Sequence, residues 1–465
     1  MNVPHAVLAA ALAVASVPLA VTPSTTHPAS ARTAAVPQEF FDDFSYAGPA
    51  DPAFAAFGWT VRTGGGGPGV SGATWSADNV SMAGSGADRV MRLAATSQGA
   101  GQTTTQASVS QGQRFFEGTY ATRIRFTDAP ESGPDGDQVV QTFYTISQLN
   151  HPLDPNYSEL DYEYVPNGGL GSAGTALQMV TWETYQDSPW DPRALETVLS
   201  RSHDGWHLLK LDVTGGEVRY YVDGVLVAGH GGDYAPEAFM FLKYAVWFAN
   251  GGLVSSSTSR RYVLDVDWVY HARDASLTTT EVESAVAGFR AGGIPRRDTL
   301  VPRTVVAADA HVRSGTYSDT NLGSTTRLEV KDAPNAADPN VDRLTYLKAN
   351  LPDTQAGSAR FWLHVSSVAP GPGPVSIAVR VLTADSWSES TITWNNRPTA
   401  GASLLGTLQV TAPGWYAIDV TSAVNSNLND GQITFRLSDD SVADRLVVID
   451  SREYGAGTEP YLLIS

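Results

Sequence analysis

The sequence contains no cysteine. Disulfides, thiolate zinc sites, iron–sulfur clusters and cysteine nucleophiles are therefore excluded. Basic residues are scarce, with 30 Lys and Arg against 48 Asp and Glu and a formal net charge of −18. Nucleic-acid binding needs clustered Lys and Arg on phosphates, so this balance argues against it. Charge of either sign is low, at 17% of residues, below the roughly 25% of an average soluble protein. Long apolar runs are also few. Ala6 to Val21 is rich in Ala, Val and Leu, yet interrupted and too short for a comfortable membrane span. Ala29-Ser30-Ala31 follows with the small-x-small pattern that a signal peptidase reads. The expectation is a signal peptide over residues 1–31, atypical in carrying His5 where Lys or Arg is usual. The mature chain is then expected to be secreted, extracellular and free of the membrane.

What is present points to β-structure. The 465 residues suffice for two or three domains, and 43 Gly, 27 Pro, 11 Trp, 18 Tyr and 15 Phe favour strands and turns over helices. Phe116 to Phe126 alternates apolar and polar residues, and Glu217 to Val227 places Asp223-Gly224 between apolar runs as a hairpin signal. Phe239 to Phe248 and Tyr262 to Tyr270 are further strand candidates. Gly64 to Gly69 reads as a loop and lacks the Lys-Ser/Thr of a phosphate cradle. Val282, Ala285, Val286 and Phe289 recur at helical spacing before Gly292-Gly293, which predicts a short helix over Thr278 to Ala291. A linker through Pro302 and a second β-rich unit over residues 303–465 follow, with Trp387, Trp394, Trp415 and Tyr461 expected in its core.

Chemistry concentrates in Ser158-Glu159-Leu160-Asp161-Tyr162-Glu163-Tyr164-Val165. On a strand, Glu159, Asp161 and Glu163 share one face, and Leu160, Tyr162 and Tyr164 share the other. Three carboxylates in a row repel each other, so their placement needs a reason. Glycosidic hydrolysis supplies one, because it uses a nucleophilic carboxylate and a carboxylic acid that protonates the leaving oxygen. Positions i and i+4 lie roughly 13 Å apart at Cα, and side chains that lean together bring the carboxyls to about 5 Å, as a retaining mechanism requires. The residues alone also allow a half-exposed acidic strand or a calcium site. No nucleophile elbow and no close pair of metal-binding His occurs; His203 and His207 flank the turn signal Asp204-Gly205.

Glu159-Leu160-Asp161-Tyr162-Glu163 resembles the Glu-x-Asp-x-Glu signature of glycoside hydrolase family 16, the laminarinase, lichenase and agarase group. Flanking motifs agree in order: Phe40-Phe41-Asp42-Asp43-Phe44, Trp75 to Val80, Phe116-Glu117-Gly118-Thr119-Tyr120, Trp206-His207 through Asp223-Gly224, and Val266-Asp267-Trp268-Val269. The sequence departs from the pattern at Tyr162, where an aliphatic residue is usual, and at Gln141 to Tyr144. The resemblance implies an all-β, concanavalin A-like jelly-roll over residues 36–274. It implies Glu159 as nucleophile, Asp161 as modulating carboxylate and Glu163 as general acid/base. It implies no required cofactor, with a structural calcium on the convex side as an accessory whose ligands remain unknown. Trp182, Trp190, Trp247 and Asn250 are the candidate substrate-binding residues, with Trp182 and Trp190 on a rim loop, Trp247 closer to core packing and Asn250 in a turn.

Residues 303–465 resemble the DNRLRE-type β-sandwich modules of secreted polysaccharide-active proteins. The matching residues include Asp309 to Arg313, Asp342-Arg343-Leu344, Trp387-Ser388-Glu389, Thr393 to Pro398, and Ser451-Arg452-Glu453. Such a module would bind polysaccharide, with Lys331, Arg343 or Lys348 suited to acidic polymers, or serve as a spacer. The expected whole is a monomeric, secreted, endo-acting retaining hydrolase of a β-linked polysaccharide of β-glucan or galactan type. The alternatives are a non-catalytic lectin-like polysaccharide-binding protein and a polysaccharide lyase.

Overall fold

The computed structural model describes residues 38–464 apart from 333–341, 354, 442 and 456. The expected signal peptide lies outside the described residues. No helix among the described residues is long and apolar enough to cross a membrane.

Two antiparallel sheets face each other over the first part of the chain, in a concanavalin A-like jelly-roll. The inner sheet runs in the spatial order Thr105–Ser110, Phe241–Phe248, Val139–Ile146, Glu159–Val165, Ala176–Asp187, Trp190–Leu199. The outer sheet contains Val80–Ala83, Val90–Ser97, Arg260–Arg273, Gly118–Phe126, Gly205–Thr214, Glu217–Val222 and Val225–Gly231. Period-two alternation sends one side of every inner strand into the space between the sheets. Leu160, Tyr162 and Tyr164 thus meet Tyr120, Ile124, Leu209, Leu211, Tyr220 and Leu264 in one core. Asp223 and Gly224 both have positive φ, 50° and 79°, which gives the twisted two-residue hairpin turn that the Asp-Gly pair favours.

The departure at Tyr162 has a structural use. Its hydroxyl crosses the core, donates to Lys210 O at 2.8 Å and accepts from Tyr221 N at 2.9 Å. A register shift between Tyr220 and Tyr221 accompanies this contact. An aliphatic side chain there would take this acceptor from the part-buried Tyr221 N–H.

The helix spans Thr279–Ala291, capped by Thr278 and Glu281 in a reciprocal capping box. Val282 and Val286 bury against Phe41, Ala121, Trp268 and Tyr270 of the outer sheet, and Phe289 stacks on Phe41 at 4.9 Å. The stretch beyond it is more than a linker. Arg296–Asp298 forms a short strand on Glu39–Asp42, which adds it to the first domain's sheet.

A second β-sandwich follows. One sheet runs Thr304–Val305, Tyr461–Ile464, Ala359–Val368, Val447–Asp450, Arg327–Val330, with Gly414–Asp419 also paired to Ala359–Val368. The other runs Ala308–Arg313, Arg343–Asn350, Gln432–Asp439, Val375–Leu382, Ser403–Val410. Phe361, Phe435, Leu363, Val379 and Leu437 lie in the core between them. Trp387 is buried in a smaller cluster with half-buried Trp394 beside it. Trp415 and Tyr461, expected in this core, instead face the jelly-roll: they pack with Trp362 against Phe116 and Phe239. The reason is again alternation, because their strands turn the opposite side chains, such as Leu462 and Ile418, toward the sandwich core.

Candidate active site

The face of the inner sheet turned away from the core carries the three carboxylates. Glu159 and Glu163 are half-buried, and Asp161 between them is buried. Antiparallel register decides their neighbours, because directly opposed residues point to the same side. Across from Glu159 stand Ile146 and Trp182; across from Asp161 stand Tyr144 and Val180; across from Glu163 stand Thr142 and Gln178. One strand further, Lys243 opposes Tyr144 and Trp247 opposes Val140.

Aromatic side chains flank the carboxylates along the sheet. Beyond Glu159, Trp182, Tyr185 and Trp190 meet with ring centroids 5.8–6.3 Å apart, and Tyr157 joins Tyr185 at 5.4 Å. Trp182 and Trp190 lie on the paired strands Ala176–Asp187 and Trp190–Leu199, so the expected rim loop is a β-hairpin. Trp190 is 60% exposed, whereas Trp182 is half-buried and also hydrogen-bonds Asp161. Beyond Glu163, Trp247 is 8% exposed and packs with Trp75, Val140, Val165, Ala176 and Ala245. The Arg62 guanidinium lies over Trp75 at 4.3 Å and donates to Gly67 O, which holds the Gly64 to Gly69 loop beside this cluster. Asn250 sits exposed in the turn after Phe248. The buried ion pair of Arg260 with Asp137, two bonds of 2.7 Å, braces this turn's loop through Val254 O and Ser256 O.

The electrostatics grade the three carboxyls. Burial raises all of them, because a charge leaves water. Glu159 is pushed up to about 7; a hydrogen bond from Tyr157 and the nearby Lys243 ammonium favour its ionised form. Glu163 goes to about 8, raised further by the charges of Glu159 and Glu196. Asp161 is held well above the usual carboxylate range by burial and by the two glutamates on either side. The bond from Tyr157 and the Lys243 ammonium thus favour the ionised form of Glu159, while the like charges beside Glu163 favour its protonated form. Such a divided pair can act as a nucleophile and an acid side by side.

Several neighbours were not among the site residues expected from the sequence: Tyr157, Tyr185, Lys243, Glu196 and Arg62, and also Tyr144 and Trp75, which had entered only as parts of flanking motifs. Lys243 carried a usable signal, as the lone charge in an otherwise apolar strand. The others depend on strand register, which sequence spacing does not supply. In the second domain, the basic residues suited to acidic polymers are engaged internally. Lys331 pairs with Asp444 at 2.8 Å, Arg343 with Glu329 at 2.7 Å, and Lys348 donates to Trp387 O at 2.6 Å.

No curated protein matches the chain. Among solved structures, similarity falls on the first domain. A Bacillus licheniformis β-glucanase has 16% identity and a TM-score of 0.37, over 50% of this chain and 98% of that one. A glycoside hydrolase family 16 endo-glucanase from Bacteroides ovatus has 15% identity and a TM-score of 0.39, over 50% and 98%. A laminarinase from Flavobacterium sp. UMI-01 has 15% identity and a TM-score of 0.34, over 46% and 93%. Residues 303–465 match the family model of Carbohydrate-binding module family 96, so the chain joins a jelly-roll with family 16 hydrolases among its structural neighbours to a carbohydrate-binding-module domain.

Proposed function

We propose that this protein is a secreted, endo-acting glycoside hydrolase that cleaves a β-linked polysaccharide with retention of configuration. One observation carries the reading: three carboxylates alternate along one strand, on the open face of the sheet, with unequal proton affinities. Glu159, in its ionised form, attacks the anomeric carbon. Glu163, still protonated, gives its proton to the leaving oxygen as the glycosidic bond breaks. The glycosyl–Glu159 ester is then opened by water, whose proton returns to Glu163. Asp161 stands between the two, and its own carboxyl is raised by the charges of both. Exposed Trp190 and its aromatic neighbours offer flat faces to pyranose rings, and the second domain would hold the enzyme on its polymer. Export rests on the apolar stretch and the Ala29-Ser30-Ala31 pattern. The resemblance to laminarinases, lichenases and agarases supports a polymer of β-glucan or galactan type.

The test is release of reducing ends from β-1,3- and β-1,4-glucans, agarose, carrageenan, xylan and alginate. Wild type should act on one of them, and Glu159→Gln should lose that activity while keeping its fold. Equal activity in Glu159→Gln would sink the assignment. Binding without any release, in a folded wild type, would favour a lectin-like protein instead.

A further inference from the structure

The second domain brings together three carboxylates that the proposed chemistry does not use. Asp309 lies on Ala308–Arg313, Glu389 in the turn after Trp387, and Glu453 in the loop between Val447–Asp450 and Tyr461–Ile464. One oxygen from each lies within 4.8 Å of the others. The segments are tied to each other: Asp309 N donates to Glu389 Oε1 at 2.7 Å, and Arg452 N donates to Asp309 Oδ2 at 2.8 Å. Arg452 Nη2 bridges Glu389 Oε2 at 2.7 Å and Glu453 Oε1 at 2.9 Å.

These bonds leave two acceptors over. Asp309 is 1% exposed, and its Oδ1 meets no N–H or hydroxyl donor; the Glu453 carboxyl lies within hydrogen-bond reach of it, and burial with the charges of Glu453 and Glu389 raises the Asp309 carboxyl to about 8. Glu453 Oε2 is likewise shielded from solvent and without a donor. A carboxylate oxygen can only accept, so a buried one without a donor costs free energy until a proton or a cation meets it. Three carboxylates against one guanidinium also leave two negative charges, which one divalent cation balances. The donors are all hard oxygens, with no His or Cys among them, a set that suits Ca²⁺ rather than zinc or copper. Glu389 and Glu453 side chains keep 22% and 24% exposure, so water can reach the remaining coordination positions.

We propose that Asp309, Glu389 and Glu453 form a structural calcium site of the second domain. The ion staples the first long strand of the module, the Trp387 turn and the C-terminal loop. That loop also carries Tyr454, whose hydroxyl meets Asn156 Nδ2 of the jelly-roll at 3.5 Å. The site is separate from any calcium on the convex face of the first domain, and it does not depend on the hydrolase reading.

The test uses the full chain stripped with a chelator and titrated with CaCl₂, by calorimetry and by thermal unfolding. Wild type should bind one more Ca²⁺ per chain than Asp309→Asn or Glu453→Gln. Its unfolding midpoint should rise by about 5–10 °C at a hundredfold excess over Kd, and less in the variants. If Asp309→Asn does not fold, Glu453→Gln on the surface loop carries the comparison. Equal Ca²⁺ uptake in wild type and variants overturns the proposal. So does a rise in the midpoint of Asp309→Asn in calcium-free buffer with unchanged Ca²⁺ uptake, which would assign a shared proton to the two oxygens.

Discussion

Glu163 links the chemistry to stability. An unfolded glutamate ionises near 4.5, while the folded chain holds this one to about 8. Between those values the folded state binds protons that the unfolded state has released, so stability falls as pH rises through the window. The penalty is absent below about 4.5 and complete above about 8. Glu163→Gln removes it. Its stability should exceed that of wild type at pH 9, by about 1 kcal/mol or more, and approach it at pH 5. Thermal melts of both proteins at the two pH values check this; a constant difference would show that Glu163 is not the group. Glu159 differs, because the Lys243 ammonium favours its ionised form.

At the scale of the element, the hairpin of Ala176–Asp187 and Trp190–Leu199 divides its labour. Trp182 is half-buried and tied to Asp161, so it positions a carboxylate on the same open face of the sheet. Trp190 is mostly exposed, with ring contacts to Tyr185 and Trp182. Trp190→Ala should therefore raise KM for the polymer by about tenfold, with kcat and the melting temperature nearly unchanged. Steady-state kinetics with a melt of the same preparation would decide it, and a fall in kcat alone would count against a binding role. The alternation of Glu159 to Val165 could be read directly, because strand geometry has a period of two. The hairpin could not: Asp187, Ser188 and Pro189 look like a loop in isolation, and only the pairing of Asp187 with Trp190 extends both strands to the turn.

At the scale of the whole molecule, the two sandwiches share a surface. Phe116 meets Trp415 at 5.8 Å, Phe239 meets Tyr461 at 5.4 Å, and the Trp415 indole N–H donates to Glu237 O. Arg273 of the jelly-roll reaches Val301 O at 2.8 Å, and Arg303 lies over Phe239 at 5.0 Å. A chain ending at residue 302 would uncover Phe116 and Phe239 together. It should melt at lower temperature than the full protein and bind a hydrophobic dye at its folded baseline. An unchanged midpoint and no dye binding would mean that the contact contributes nothing to stability.

Composition and period were enough to identify the β-rich class, the acidic strand and the helix over Thr279–Ala291, since each depends on local spacing and local capping. The resemblance carried by Glu159 to Glu163 and its flanking motifs supplied the first sandwich, and that of residues 303–465 to DNRLRE-type modules supplied the second. What lies across from each carboxylate was decided elsewhere. Tyr144, Trp182 and Lys243 reach the acidic row through antiparallel register between strands distant in sequence. Trp415 and Tyr461 could be recognised as large buried aromatics, but not assigned to the surface between domains rather than to the module's own core. A strand's two faces are fixed by its backbone geometry; which neighbour covers each face is a long-range choice, set by the packing of the entire chain.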